Sequence, residues 1–169
     1  MDNACSANLH PLTNKWDLYY HLQSEKSWTL DSYKIIMSEI DVAEKVVALN
    51  RELSDFALYN CMFFCMKHGV TPMWEDVKNR SGGCFSYRVL NKNVPSVWRS
   101  LLIHMCGSTL CLNKKHEPAI NGITVSPKKN FCVIKIWLNT CDYQDPAMIR
   151  DLPDLPRDGC LFKKHEPEF

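Results

Sequence analysis

The pattern of apolar and polar residues along the chain predicts a sheet built from several short strands. Aromatic and β-branched residues cluster in strand-like runs near the start of the chain and again after residue 60. The predicted strands cover residues 15–20, 27–37, 60–67, 84–90, 123–125 and 131–138. Polar residues 23–26 connect the first two runs, and turn-forming residues 127–130 separate the last two. Such short connections favour a largely antiparallel sheet.

Apolar residues at helical spacing predict two main helices. The first follows Asp41 and Glu44, a potential capping pair, and its apolar residues are Val42, Val46, Leu49 and Leu53. The second begins at Pro95 and ends at Gly107, and its apolar face consists of Trp98, Leu101, Leu102 and Met105. A shorter helical piece is predicted for residues 146–152. The whole pattern predicts an α+β fold in which helices pack on one face of a curved antiparallel sheet.

The length and composition fit one domain with a substantial core. The chain has 169 residues, of which 46% are hydrophobic. We expect a flexible polar tail at residues 1–9 and a single domain at residues 10–169. The 20 Lys and Arg residues nearly balance the 19 Asp and Glu residues, which argues against long-range attraction to a polyanion. A nucleic-acid ligand would therefore be short and recognised locally.

The nine cysteines predict reduced thiols in the cytoplasm, with the nucleus as an alternative. Their number is odd, and the first residues have neither the apolar core nor the cleavage pattern of a signal peptide. No apolar run approaches the roughly 20 residues needed to cross a bilayer, so we expect no membrane contact. Cys61, Cys65 and His68 have helical spacing for a metal, but they fall in a predicted strand without a fourth ligand. We therefore predict neither a metal nor a cofactor.

The five tryptophans lie in different local contexts. Trp98 is on the apolar face of its helix and Trp16 is in the first strand, so we expect both in the core. Trp28 follows a polar loop and is expected at the surface. Trp74 lies in a loop that begins with a proline, directly before Glu75 and Asp76. Its indole is either a recognition platform or a loop residue folded back on the core.

A loop tryptophan beside a glutamate has a specific use in recognising guanine. Guanine presents N1–H and N2–H2 side by side, and one carboxylate can accept hydrogen bonds from both. Methylation at N7 makes the ring cationic, so that two flanking indoles attract it by stacking and by cation–π interaction. The residues therefore favour 7-methylguanosine over unmethylated guanosine as the ligand.

An ordered set of motifs resembles the cap-binding eukaryotic translation initiation factor 4E family. The resemblance covers roughly residues 10–138 and rests on His10-Pro11-Leu12-Thr13-Asn14-Lys15-Trp16, Lys26-Ser27-Trp28, Gly69-Val70-Thr71-Pro72-Met73-Trp74-Glu75-Asp76, Asn79 with Gly82-Gly83, Trp98 with Leu101-Leu102 and Gly107, and Ile134-Lys135-Ile136-Trp137. It implies a sheet of about eight strands with helices on the convex face. It also implies that the chain binds the 7-methylguanosine cap of mRNA as a monomeric translation factor, viral or from a divergent eukaryote.

The resemblance also assigns roles within the cap slot. Trp28 and Trp74 would sandwich the methylated base, and Glu75 would bind its N1 and N2 edge. The backbone amide of Trp74 would contact O6, Trp137 would pack near the N7 methyl group, and Met73 would complete the slot.

Lysines are the candidates for binding the triphosphate of a cap. They are Lys128, Lys129 and Lys135, and strand alternation places Lys135 on the same face as Trp137. The family has an arginine and a lysine around this hairpin, where the chain has Lys128 and Val133. Lysine lacks the bidentate fork of arginine, so the phosphate contacts are expected to differ. The alternative is that these lysines only solvate the turn.

The surface that the family uses to bind partners is altered. The family binds an amphipathic helix of the scaffold protein initiation factor 4G, or of repressor proteins, on its helices and its His-Pro-Leu segment. The corresponding residues are His10, Pro11, Ala43, Val47, Arg99 and Ile103. Val47 replaces the anchoring tryptophan and Arg99 replaces a leucine, so ordinary scaffold binding is expected to be weak.

Two alternatives concern what the slot does. A cap hydrolase would need catalytic carboxylates, for which Glu75 and Asp76 are the candidates, but the adjacent indole favours binding over catalysis. We therefore predict no enzyme. Among binding functions, a translation initiation factor competes with a protein that occupies caps and represses or protects messages without the usual scaffold.

Overall fold

The structure, a computed structural model, describes residues 8–168. The first seven residues of the predicted tail lie outside this range. Within it, seven strands form one antiparallel sheet: β1 (Pro11–Leu22), β2 (Lys34–Val42), β3 (Cys61–Lys67), β4 (Gly83–Leu90), β5 (Ile120–Pro127), β6 (Phe131–Leu138) and β7 (Leu161–Lys164). Their order across the sheet is β2-β1-β3-β5-β6-β4-β7. The predicted α+β fold is confirmed, with seven strands where the resemblance implied about eight.

Three α-helices accompany the sheet in this part of the chain. They are α1 (Ala43–Glu52), α2 (Asp55–Asn60) and α3 (Val94–Cys106). Short 3-10 helices cover Leu30–Ser32, Asn91–Asn93, Lys114–Ala119 and Pro146–Met148. None of the described helices combines the length and the apolar character that a membrane span requires.

Several predicted boundaries were wrong for local reasons. Asp41 does not cap α1, because its carboxylate accepts a hydrogen bond from the Lys45 ammonium at 2.7 Å. The third helical piece contracts to the 3-10 turn Pro146–Met148. Residues 27–33, predicted as part of a strand, form a loop that turns at Leu30–Ser32. The second strand starts only at Lys34.

The side chains of each strand alternate between two different faces of the sheet. In β3, Phe63 and Cys65 pack into the main core with the helices, whereas Phe64 and Met66 belong to a second cluster. In β6, Trp137 joins that second cluster while its neighbours pack into the core. This period of two is the strand geometry itself. It produces a helix face that carries the core and an opposite face that is free to form a pocket.

Candidate functional site

A pocket of about 640 Å³ opens on the face of the sheet that the helices leave free. It is lined by Trp28, Tyr33, Met62, Phe64, Pro72, Met73, Trp74, Glu75, Ser86, Thr124, Ser126, Lys128, Val133, Lys135, Trp137, Lys163 and Glu168. The structure thus brings together seven of the eight residues assigned to the cap and its phosphates. The eighth, Lys129, is exposed at the β5–β6 turn and does not line the pocket.

Two polar side chains, Asp76 and Asn79, hold the loop that carries Trp74 through hydrogen bonds. The Asp76 carboxylate accepts hydrogen bonds from the backbone N–H of Thr71 at 2.7 Å and from its hydroxyl at 2.8 Å. Burial raises the pKa of Asp76, but these hydrogen bonds outweigh it and the net pKa is lowered. The buried amide of Asn79 donates to the carbonyls of Thr71 and Met73. Asp76 is therefore the carboxylate that holds the loop together, whereas Glu75 makes none of these loop hydrogen bonds.

Trp74 is half-buried and packs against an imidazole. The rings of Trp74 and His165 are stacked at 5.8 Å with an interplanar angle of 15°, and the Lys135 ammonium lies 5.7 Å from the Trp74 ring centre. His165 is fixed in turn, because its Nδ1 donates to the Asn79 carbonyl at 2.7 Å. Burial lowers the pKa of His165, and the nearby charge of Lys135 lowers it further. A neutral imidazole therefore supports the Trp74 wall.

Trp28 forms another wall and is 52% exposed. One face of its indole is stacked on the ring of His21 at 4.1 Å, with an angle of only 5°. Because Trp28 lines the pocket and His21 does not, the uncovered face is available to a ligand. Neither Trp28 nor Trp74 is buried in the core, whereas Trp16 and Trp98 are, as predicted.

Glu75 and Trp137 lie at different depths of the pocket. Glu75 is half-buried, and its Oε1 accepts one long hydrogen bond, from the backbone N–H of Glu168 at 3.3 Å. Burial and the negative charge of Glu75 raise the pKa of Tyr33 to about 12. Trp137 is 3% exposed, and its indole N–H donates to the Thr124 hydroxyl at 2.8 Å. The site therefore combines a hydrogen-bond acceptor near its opening, Glu75, with a buried and hydrogen-bonded indole at its base, Trp137.

Three lysines line the pocket, and one of them was missed from the sequence. Lys128 and Lys135 were predicted, whereas Lys163 enters from β7, where it is in register with Cys84 of β4. Strand β7 has only four residues, too few for a recognisable alternation. Tyr33 was missed because its segment was assigned to a strand. In the sequence, only the charge of Lys163 and the aromatic ring of Tyr33 could have indicated a place in the pocket.

The residues predicted to bind partners lie outside the pocket, around α1 and α3. The backbone N–H of Ala43 donates to the His10 carbonyl at 2.8 Å, and the His10 ring contacts the Glu44 carboxylate at 2.6 Å. The segment at His10 and Pro11, the first residue of β1, is therefore attached to the start of α1. Val47 is 57% exposed and Ile103 is 52% exposed.

Arg99 connects α3 to the end of α1. Its guanidinium donates to the carbonyls of Asn50 and Leu53, at 3.2 and 3.3 Å, and to the Asp55 carboxylate at 2.6 Å. These bonds satisfy carbonyls at the end of α1 that lack partners within the helix. The arginine therefore has a structural role on the surface where the family has an apolar contact.

The cysteine and histidine residues with helical spacing do not form a metal site. Cys65 is buried in the core, whereas the His68 ring contacts the Asp17 carboxylate at 2.9 Å. Among residues 8–168, no cluster of three or more potential metal ligands occurs. Strand alternation leaves Cys61 and Cys65 on the core side of β3, whereas His68 follows the end of that strand and turns to Asp17.

Comparisons with known proteins give one consistent result. The family model for eukaryotic initiation factor 4E matches residues 11–155. The chain is 29% identical to eukaryotic translation initiation factor 4E of Xenopus laevis over 143 residues, which are 80% of this chain and 65% of that protein. It is 28% identical to the human factor over 143 residues, which are 80% of this chain and 64% of that one. The chain thus spans less than two thirds of the length of these relatives.

A solved structure agrees with the sequence relatives. The complex of C. elegans eIF4E-3 with the 4E-binding protein Mextli and cap analog superposes with a TM-score of 0.68 at 26% identity, over 79% of this chain and 76% of that one. The sheet, its helices and the matched segment all agree, and the chain belongs to the eukaryotic initiation factor 4E family.

Proposed function

We propose that the chain binds the 7-methylguanosine cap of mRNA as a translation initiation factor of this family, with residues 10–169 acting as one cap-binding domain. The observation that carries the proposal is the convergence of Trp28, Trp74 and Glu75 on one pocket above Trp137. Two indoles suit a cationic purine, and each stacked face contributes about 1–3 kcal/mol. In support, the C. elegans relative was solved with a cap analog.

Glu75 is the proposed reader of the guanine edge. Its carboxylate is half-buried and accepts a long hydrogen bond of 3.3 Å from the backbone N–H of Glu168, which the N1–H and N2–H2 of guanine would replace. Hydrogen bonds to a charged acceptor contribute about 1.5–3 kcal/mol. The backbone N–H of Trp74 is proposed to donate to O6, and Met73 to pack at the edge of the base.

The triphosphate is proposed to lie along the lysines of the pocket. Lys128, Lys135 and Lys163 line it from three different strands or turns. Hydroxyls of Ser86, Thr124 and Ser126 line the same pocket and add polar groups. Lys129 is not assigned a phosphate contact, because it does not line this cavity.

The proposed activity is binding, without catalysis. Asp76 is committed to Thr71 and the Lys78 backbone, so Glu75 has no second free carboxylate from its own loop for hydrolysis. We also propose that the protein is a cytoplasmic monomer. A protein partner is proposed to contact α1 and α3, as the 4E-binding protein in the C. elegans complex supports for that relative.

Titration of tryptophan fluorescence with 7-methylguanosine triphosphate and with GTP tests the proposal. We expect the methylated nucleotide to bind at least tenfold more tightly, because only its base carries the charge that the indoles attract. Glu75→Gln should weaken binding by about ten- to a hundredfold. Glu52→Gln, on α1 outside the pocket, should change nothing. Equal affinity for both nucleotides would refute cap recognition by this pocket.

A further inference from the structure

The Trp28 wall rests on one buried histidine. His21 is near the end of β1 and is 1% exposed. Its ring lies parallel to the Trp28 indole at 4.1 Å, and the Tyr33 ring meets it edge-on at 5.3 Å. Trp28 therefore has one face supported and the other turned to the pocket.

Both ring nitrogens of His21 face carbonyl oxygens. Nδ1 lies 2.9 Å from the Leu22 carbonyl oxygen and Nε2 lies 2.9 Å from the Ser27 carbonyl oxygen. A carbonyl oxygen only accepts hydrogen bonds, and a neutral imidazole has a single N–H to donate. The ring therefore donates a hydrogen bond to at least one of the two carbonyls and contacts the other.

The two carbonyls bracket the loop that positions Trp28. Leu22 ends β1, and Ser27 directly precedes the tryptophan. The loop is also closed by the Glu25 N–H, which donates to the Leu22 carbonyl at 3.1 Å. The Glu25 carboxylate accepts the Ser27 N–H at 2.8 Å. His21 thus contacts both ends of this loop.

We propose that His21 is a positioning residue for cap binding, whose ring contacts the Leu22 and Ser27 carbonyls and holds Trp28 parallel to its own plane. This inference rests on the proposed function for its affinity readout. Without the ring, the two ends of the loop lose these contacts and the Trp28 indole loses the ring behind it.

Proton NMR of the ligand-free protein tests the stack of His21 on Trp28 directly. We expect the Trp28 indole resonances, assigned by their absence in Trp28→Phe, to shift in His21→Leu, which removes the aromatic ring. Unchanged indole resonances would overturn the stacked arrangement. Because no nucleotide is present, this measurement remains informative even if the pocket does not bind a cap.

Titration with 7-methylguanosine triphosphate tests the positioning role. His21→Phe keeps an aromatic ring under Trp28 but loses both carbonyl contacts, and we expect about tenfold weaker binding. His21→Gln, which can still donate to one carbonyl, should bind with an affinity between those of His21→Phe and the native protein. An equal affinity of folded His21→Phe and the native protein would refute the role, whereas failure of the native protein to bind would refute the cap proposal.

Discussion

Opposite faces of one sheet differ in how much of the family pattern they keep. On the pocket face, Trp28, Trp74 and Glu75 line a single cavity. On the helix face, the resemblance aligns Val47 with the family's anchoring tryptophan, and Arg99 donates hydrogen bonds to carbonyls at the end of α1. Guanine always presents the same edge, whereas a protein partner can change together with its binding surface. The comparison teaches that ligand and partner are specified separately in this fold.

The largest expected effect comes from removing one wall of the pocket. Trp74→Ala removes a stacking face, so we expect binding of 7-methylguanosine triphosphate to weaken by about a hundredfold, near the upper end of the range for one base–aromatic stack. Retention on the immobilised nucleotide measures this loss. A variant that keeps native affinity and a native circular dichroism spectrum would remove Trp74 from the site.

The next effect concerns the opposite face. Val47→Trp restores a large exposed anchor, and we expect binding of a scaffold-derived helical peptide to improve by about thirtyfold, the value of a typical interface hot spot. Isothermal calorimetry with the peptide measures the gain, and nucleotide affinity should not change. If native Val47 already supports tight binding of an ordinary scaffold peptide, then the helix face is not altered as proposed.

A smaller effect is expected for the lysines of the pocket. Lys128→Ala or Lys163→Ala should weaken binding of the triphosphate by about fivefold, because a partly exposed ion contact contributes roughly 1 kcal/mol. The monophosphate should lose less. Lys129→Ala is the matched control, since its side chain lies outside the pocket. Equal losses for the triphosphate and the monophosphate would exclude phosphate contacts by the substituted lysine.

The sequence predicts the fold best where strands are long and buried. The predicted strand at residues 131–138 coincides with β6, because its alternation between core and pocket face leaves a clear pattern. Helix α2 and strand β7 have six and four residues, so neither is long enough to show a repeating pattern of apolar and polar residues. Their formation depends on tertiary packing, which a local pattern does not contain.

The pocket shows where local patterns mislead. Trp28 and Tyr33 lie in an aromatic segment that resembles a strand, yet residues 27–33 form a loop. Aromatic rings in this segment serve the ligand wall and the stack on His21, so their presence does not report strand propensity. Glu75, in contrast, lies in a specific loop motif and lines the pocket, while its role at the guanine edge stays a prediction.

One repeated pentapeptide shows how strongly context decides conformation. Lys-Lys-His-Glu-Pro occurs at residues 114–118 and again at residues 163–167. The first copy forms a 3-10 helix, in which Glu117 accepts the Cys111 N–H. The second copy ends β7 and places His165 between Trp74 and Trp137, at 5.8 and 4.9 Å. Identical local propensities therefore give two structures, and only pairing with β4 creates a support for the pocket.

The second copy leads to the smallest expected effect, a dependence of stability on pH. Burial keeps the pKa of His165 below its ordinary value of 6.5, so the unfolded chain takes up this proton first as the pH falls. The contribution of neutral His165 to the free energy of unfolding is complete above pH 6.5. It is lost progressively below that pH, by no more than about 1.4 kcal/mol per pH unit. Urea unfolding at pH 7.5 and 5.5 should show a smaller acid loss in His165→Asn than in the native protein. His116→Asn, in the first copy, is the matched control and should behave like the native protein. If His165→Asn loses as much stability between pH 7.5 and 5.5 as the native protein does, then His165 is protonated in the folded state as readily as in the unfolded one.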